Sequence, residues 1–219
     1  MKLKVVGSGS SGNCYCLVGD KEILVIECGI QFKEVKKHID FDVDKIVGVI
    51  TTHSHGDHSE FAVQYENAGI PVFKPFEETE KRKFIQFGEF KIDTFPLHHD
   101  VPCYGFLISH PEMGRMVYAS DTSFIRYTFK DINHFLVEAN YDDDEMQVEE
   151  ILANHIYRGH MSINTAIEFL RTNFNKNTKT ICLCHLSQKN ADAMKFIDKV
   201  VDEFDRVCYI ARKGVSINL

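Results

Sequence analysis

Residues 46–50 read Ile-Val-Gly-Val-Ile, an apolar run that offers water neither face. A strand of this kind has to be covered on both sides, so the run demands a sheet with further layers above and below it. Directly after it comes His53-Ser54-His55-Gly56-Asp57-His58. A strand fixes the chain's direction, and the loop leaving its carboxyl end can aim several side chains into one crevice. His53 and His55, two apart in extended chain, point to the same side. Asp57 and His58 then turn onto the start of a following helix, and Gly56 permits the tight backbone between them. Three imidazoles and a carboxylate in six residues, from a chain with 11 histidines, make a metal-binding set. Such donors suit zinc, and also manganese or iron.

The rest of the chain reads as short strands first and a strand–helix alternation later. Strands are predicted over 2–6, 14–18, 22–27, 45–51, 71–73, 83–87, 90–96, 104–109, 116–119, 133–138, 180–184, 207–210 and 215–218, with a hairpin across Gly19-Asp20. Helices are predicted over 31–39, 59–68, 142–154, 162–170 with Ser162 as cap, and 190–204. This order fits an α/β fold of the αββα type, a four-layer sandwich forming a single domain over 1–219.

At 219 residues with 44% apolar content, the chain can bury a useful core without disulfides or a structural metal, so a bound metal would serve chemistry. The net charge of −7 argues against a broad nucleic-acid-binding face. It does not exclude a nuclease, because a metal centre brings its own positive charge. Seven cysteines, an odd number, several of them inside strand-like runs, point to reduced thiols and a cytoplasmic setting. The pairs Cys14/Cys16 and Cys182/Cys184 each share a strand face and read either as buried small hydrophobes or as zinc ligands. No apolar stretch is long enough for a membrane span.

The pattern His53-x-His55-x-Asp57-His58 after a buried strand is similar to the signature of the metallo-β-lactamase superfamily. Later positions extend the resemblance over nearly the whole chain. His99, with His98 as competitor, Asp121 in Tyr118-Ala119-Ser120-Asp121-Thr122, and His185 after a buried strand all match. The resemblance implies two divalent ions. His53, His55, His99 and Asp121 would hold one, and Asp57, His58, Asp121 and His185 the other. It also places an aspartate where this chain has Glu27, whose longer side chain leaves open how it meets the metal ligands.

Further features resemble the YycJ/WalJ-like branch, which is linked to DNA exonuclease activity. They are the loop Gly7-Ser8-Gly9-Ser10-Ser11-Gly12-Asn13-Cys14, His99-Asp100-Val101-Pro102, Glu138-Ala139-Asn140-Tyr141-Asp142, Gly159-His160-Met161-Ser162 and His185-Leu186-Ser187. The Gly/Ser loop is either an anion cradle, through Ser11 and Asn13, or a plain turn. His160, just ahead of a helix start at Ser162, is placed to meet a phosphate or protonate a leaving oxygen, with Asp57 orienting the nucleophile. Asn140 either contacts substrate or holds a loop, and Ser162 is a further candidate substrate contact beside its role as cap.

The leading expectation is therefore a binuclear, metal-dependent phosphodiesterase or exonuclease using a metal-held hydroxide. A hydrolase of carbonyl substrates, such as a lactonase, thioesterase or β-lactamase, is the alternative. A di-iron redox module is a third reading, disfavoured because the chain has no flavin-binding extension.

Overall fold

In strand β2 (Cys14–Val18), Tyr15 and Leu17 point one way and Cys14 and Cys16 the other, and both sets are buried. The same two-faced burial recurs in β3 (Ile23–Ile26), β9 (Gly114–Ala119) and β11 (Thr180–Cys184). Period-2 alternation with no polar face is what a sheet enclosed on both sides requires. In the computed structural model, which describes residues 1–79, 84–144 and 159–219, these strands belong to two sheets.

The first sheet has the order β13-β1-β2-β3-β4-β5 and adds β1 (Lys2–Gly7), β4 (Ile46–Ile50), β5 (Val72–Phe73) and β13 (Ser216–Asn218). The second has the order β12-β11-β10-β9-β8-β7-β6. It adds β6 (Phe84–Phe87), β7 (Phe90–Leu97), β8 (Cys103–His110), β10 (His134–Glu138) and β12 (Cys208–Ile210). Leu17, Leu24 and Ile50 of one sheet meet Phe106, Ile108 and Tyr118 of the other in a central apolar layer. Outside the first sheet, Phe32 and Val35 of α1 (Phe32–His38) and Tyr65 of α3 (Ala62–Glu66) cover Val25 and Val49. Outside the second, Ala166 and Leu170 of α4 (Ile163–Asn173) and Phe196 and Val200 of α5 (Ala193–Phe204) cover Val137 and Leu183. The expected αββα sandwich is the observed architecture.

The differences from the expected elements have local causes. The helix expected over 59–68 is two pieces, α2 (Gly56–Ser59) and α3, because the Phe61 N–H donates to Cys28 O at 3.0 Å instead of continuing the helix. The last helix begins only at Ala193, where the Asp192 carboxylate accepts the N–H groups of Met194 and Lys195. Ser162 caps α4 as expected, accepting from Thr165 N. Most of the helix expected over 142–154 lies outside the described residues, as do Lys83 and His155.

Strand direction is what gathers the site. β3 and β4 are parallel, as are β9, β10 and β11, and β7 runs the same way as β9 because each is antiparallel to β8. Their carboxyl ends release Glu27, His53, His99, Asp121, Glu138 and His185 at one edge of the sandwich, the place where open α/β sheets bind ligands.

Candidate metal centre

Three of these strand ends bend by the same device. Glu27, Asp121 and His185 take φ values of 62°, 55° and 53°, the left-handed region that residues with a Cβ usually avoid. Each turns its chain sharply just past a strand and sends a side chain back into the cleft. Strain of about 1–3 kcal/mol per residue is typical of such positions. The His53–His58 loop needs no such bend, since His55 (φ −62°, ψ 147°) is extended and leads directly into α2. That loop is clamped from below. Asn13 N donates to Asp57 O at 2.7 Å and Cys28 N to His58 O at 2.7 Å. Gly29 lies so close beneath that a Cβ there would sit 1.8 Å from Asp57 O.

The side chains converge in two groups. His53, His55 and His99 bring three ring nitrogens within 4.8 Å of one another, and Asp57, His58 and His185 do the same with two nitrogens and a carboxylate oxygen. Asp121 links them, grouping also with His53 and His58 and approaching His58 Nε2 at 3.0 Å. His99 rather than His98 enters the cleft. His98 is exposed, bonds Ser123 Oγ at 3.1 Å and stacks on Phe124.

Four buried ring nitrogens in this cluster, His53 Nε2, His58 Nδ1, His99 Nδ1 and His185 Nε2, have no hydrogen-bond partner among the described residues. A buried polar group left so costs about 1–3 kcal/mol. Orphaned imidazoles crowded against Asp57 and Asp121 are the donor set of a divalent cation site, so the residues fit the metal that the sequence implies.

Charge is divided unevenly. Burial and the neighbouring His58 push His53 down to about 2, and burial lowers His99 as well. Burial also opposes charge on His58 and His185, yet Asp121 with Glu27 in the first case, and Asp121, Asp57 and Glu138 in the second, outweigh it. His58 rises well above its ordinary value and His185 to about 10. Asp121 is held well below the usual carboxylate range, since His185 and His58 overcome the cost of its burial.

Two carboxylates behind the cluster hold it in place. Glu27, fully buried, accepts from Thr52 Oγ1 at 2.6 Å, Thr52 N at 3.2 Å and Tyr118 OH at 3.0 Å, and approaches His58 Nδ1 at 3.2 Å. Thr52 Oγ1 is in turn 2.8 Å from His53 Nδ1. One carboxylate thus reaches imidazoles of both groups, and Glu27 does so from a left-handed backbone. Glu138 does the corresponding work opposite, 2.6 Å from His160 Nδ1 and 3.3 Å from His185 Nδ1, while accepting from Thr122 N and Met161 N. Glu138 had no assigned role in the sequence because it ends an apolar run as an ordinary strand residue would. Thr52 carries no sequence signal, and Tyr118 and Asp100 (3.1 Å from His99 Nε2) stand inside the family-like runs without a role of their own.

Of the proposed substrate contacts, only some face the opening. Ser11 is exposed and Asn140 lines a pocket of about 430 Å³ with Ser8, Ser10, His160 and Lys189. Asn13 is wholly buried, with its amide on Gly9 N, Asp57 and His58, so it latches the Gly/Ser loop to the metal loop instead of meeting substrate. Ser162, 1% exposed, is occupied in capping α4. Asn140 also donates to His185 O at 2.8 Å, so it holds a loop as well as facing the pocket. All seven cysteines are free and buried, as small hydrophobes would be. His134 and His110 lie in hydrogen-bonded positions away from the cleft.

A four-layer αββα sandwich with a His/Asp cluster at the strand ends is the metallo-β-lactamase fold, and residues 7–59 match the Metallo-beta-lactamase superfamily. The chain is 24% identical over 224 residues to exodeoxyribonuclease YycJ of Bacillus anthracis, covering 87% of this chain and 84% of that one. It is also 24% identical to exodeoxyribonuclease WalJ of Streptococcus pneumoniae, over 86% of this chain and 82% of the relative. Its fold is similar to that of the metallo-beta-lactamase fold protein YhfI from Bacillus subtilis, with a TM-score of 0.75, 17% identity and 99% of each chain covered. Among the described residues no helix is long and apolar enough to cross a membrane.

Proposed function

We propose that this protein is a binuclear metal-dependent phosphodiesterase acting as a DNA exonuclease. His53, His55, His99 and Asp121 would hold one divalent ion, and Asp57, His58, Asp121 and His185 the other, with zinc the first candidate and manganese or iron the alternatives. Ions held there supply Lewis acidity and a nucleophile at neutral pH. The exodeoxyribonuclease relatives support the substrate class.

The observation that carries the reading is His160. Its ring is stacked on His185 at 5.3 Å, its Nδ1 is 2.6 Å from Glu138 Oε1, and it lines the pocket shared with the Gly/Ser loop. Burial works against its charge, but Glu138 and Asp121 raise its pKa. Glu138 thereby fixes Nδ1 as the inner donor and leaves Nε2–H to deliver a proton to a leaving oxygen. A departing alkoxide of a phosphate ester needs that proton. Asp57 accepts from the attacking water and orients it. The pocket suits an anion, since exposed Ser10 and Ser11 face it and Lys189, which has no ion pair among the described residues, stands at its rim.

Turnover of bis-p-nitrophenyl phosphate and single-stranded DNA, set against a lactone panel with zinc or manganese added, tests the reading. Hydrolysis of the phosphodiesters is the expected result. Activity on lactones alone would overturn it in favour of a carbonyl-centred hydrolase.

A further inference from the structure

The segment from Phe124 to Lys130 leaves the cleft as an irregular strap whose burial alternates. Ile125, Tyr127 and Phe129 pack inward on the outer core of the second sheet, with Tyr127 and Phe129 against Phe95. The other residues, Phe124, Arg126, Thr128 and Lys130, face out. An outward face bearing an aromatic ring and two cations stands apart on a chain of net charge −7. Neither Arg126 nor Lys130 forms an ion pair with any described residue. Both are exposed, and Arg126 lies over the Phe124 ring at 5.8 Å.

Phe124 is 41% exposed although its ring is held in place. It stacks on His98 with ring centres 5.4 Å apart and planes 29° from parallel. The backbone beneath is tied twice, since Thr122 Oγ1 donates to Phe124 O at 2.9 Å and accepts from His98 N at 3.0 Å. Ser123 N adds a bond to His98 O. His98 is the direct neighbour of His99, so this stack borders the first group of candidate metal ligands, and neither His98 nor Phe124 lines the Ser10–Lys189 pocket. A preformed aromatic face beside a free guanidinium is the arrangement on which unpaired bases stack, and the cations that follow it suit a phosphate backbone.

We propose that His98, Phe124 and Arg126 form a stacking platform for an unpaired nucleobase of the substrate strand, with Lys130 continuing the track under its phosphates. This rests on the phosphodiesterase reading and extends it to single-stranded nucleic acid at this edge of the site. A small phosphodiester carries no nucleobase for the platform to hold. Loss of Phe124 should therefore weaken oligonucleotide binding without changing turnover of small esters.

The test uses the metal-loaded protein and a slowly hydrolysed single-stranded phosphorothioate oligonucleotide carrying 2-aminopurine, whose fluorescence falls on stacking. Phe124→Ala should raise Kd about tenfold and lose most of the quenching. Phe124→Trp should retain binding, and both variants should hydrolyse bis-p-nitrophenyl phosphate like the parent. Unchanged oligonucleotide affinity in Phe124→Ala would overturn the platform. So would an equal fall in small-ester turnover, which would make Phe124 a support of the site. A parent that hydrolyses bis-p-nitrophenyl phosphate but binds no oligonucleotide would sink the platform and the DNA substrate while leaving the phosphodiesterase chemistry standing. A parent active only on lactones would sink the platform and the phosphodiesterase reading together.

Discussion

His53 and His185 are almost equally enclosed, at 0% and 4% exposed, yet their surroundings shift their pKa values in opposite directions. Burial, His58 and other imidazoles drive His53 down to about 2, whereas Asp121, Asp57 and Glu138 overcome burial and carry His185 up to about 10. In the half of the site built on His53, His55 and His99, burial lowers His53 and His99, and the nearby carboxylates are Asp121 and Asp100, the latter 3.1 Å from His99 Nε2. In the half built on Asp57, His58 and His185, nearby carboxylates outweigh burial and raise both imidazoles. Burial alone therefore does not decide charge here. The neighbours do, and Asp121, which touches both halves, couples them.

Removing the coupling group should have the largest effect. Asp121→Ala, and His55→Ala in the imidazole-rich half, should abolish phosphodiester hydrolysis and lower metal content by elemental analysis, while circular dichroism still reports a folded chain. Full metal and full activity in either variant would show the ligand assignment to be wrong. Next in size is His160→Ala, for which kcat should fall by roughly 10²–10⁴ with metal content unchanged. Metal loss in that variant would instead make His160 a ligand.

The supports of the two halves should give smaller effects. Glu27→Gln disturbs Thr52 and His53 on one side and His58 on the other, and should weaken metal affinity about 10- to 100-fold in a competition titration with a chelator. An unchanged affinity would mean that Glu27 braces only the fold. Away from the site, His134 is buried and neutral, pushed down to about 4 chiefly by burial. Its folded pKa lies below the unfolded value, so its contribution is intact above the unfolded pKa of about 6.5 and is lost as pH falls toward 4. Urea unfolding should show the parent losing about 2–3 kcal/mol more than His134→Gln between pH 7 and pH 4.5. Parallel losses in the two proteins would mean that His134 does not set this slope. The smallest effect belongs to Ser162→Ala, about 1 kcal/mol of stability from a lost helix cap with KM unchanged. A raised KM would restore it as a substrate contact.

How much the sequence disclosed differs between parts of the site for physical reasons. The His53–His58 loop was legible because its candidate ligands are contiguous and follow a strand apolar on both faces. His99, Asp121 and His185 were legible only through a family pattern, since each stands alone at its strand end. The left-handed turns at Glu27, Asp121 and His185 left no trace, because no glycine marks them. Each of those residues is instead held by contacts distant in sequence. For the same reason Asn13 reads from the sequence as part of an anion cradle or a plain turn, although its contacts with Asp57 bury it. The layered fold was legible almost throughout from alternating burial, and the helix expected over 59–68 failed where Phe61 bonds Cys28 across the fold.

The account turns on two coupled metal sites sharing Asp121, and calorimetric titration of zinc into the metal-free protein tests that most directly. The expected result is two ions per chain for the parent, with tight binding lost at both positions in Asp121→Ala. A parent that saturates with one ion, or an Asp121→Ala variant that still binds two with parental affinity, would contradict it.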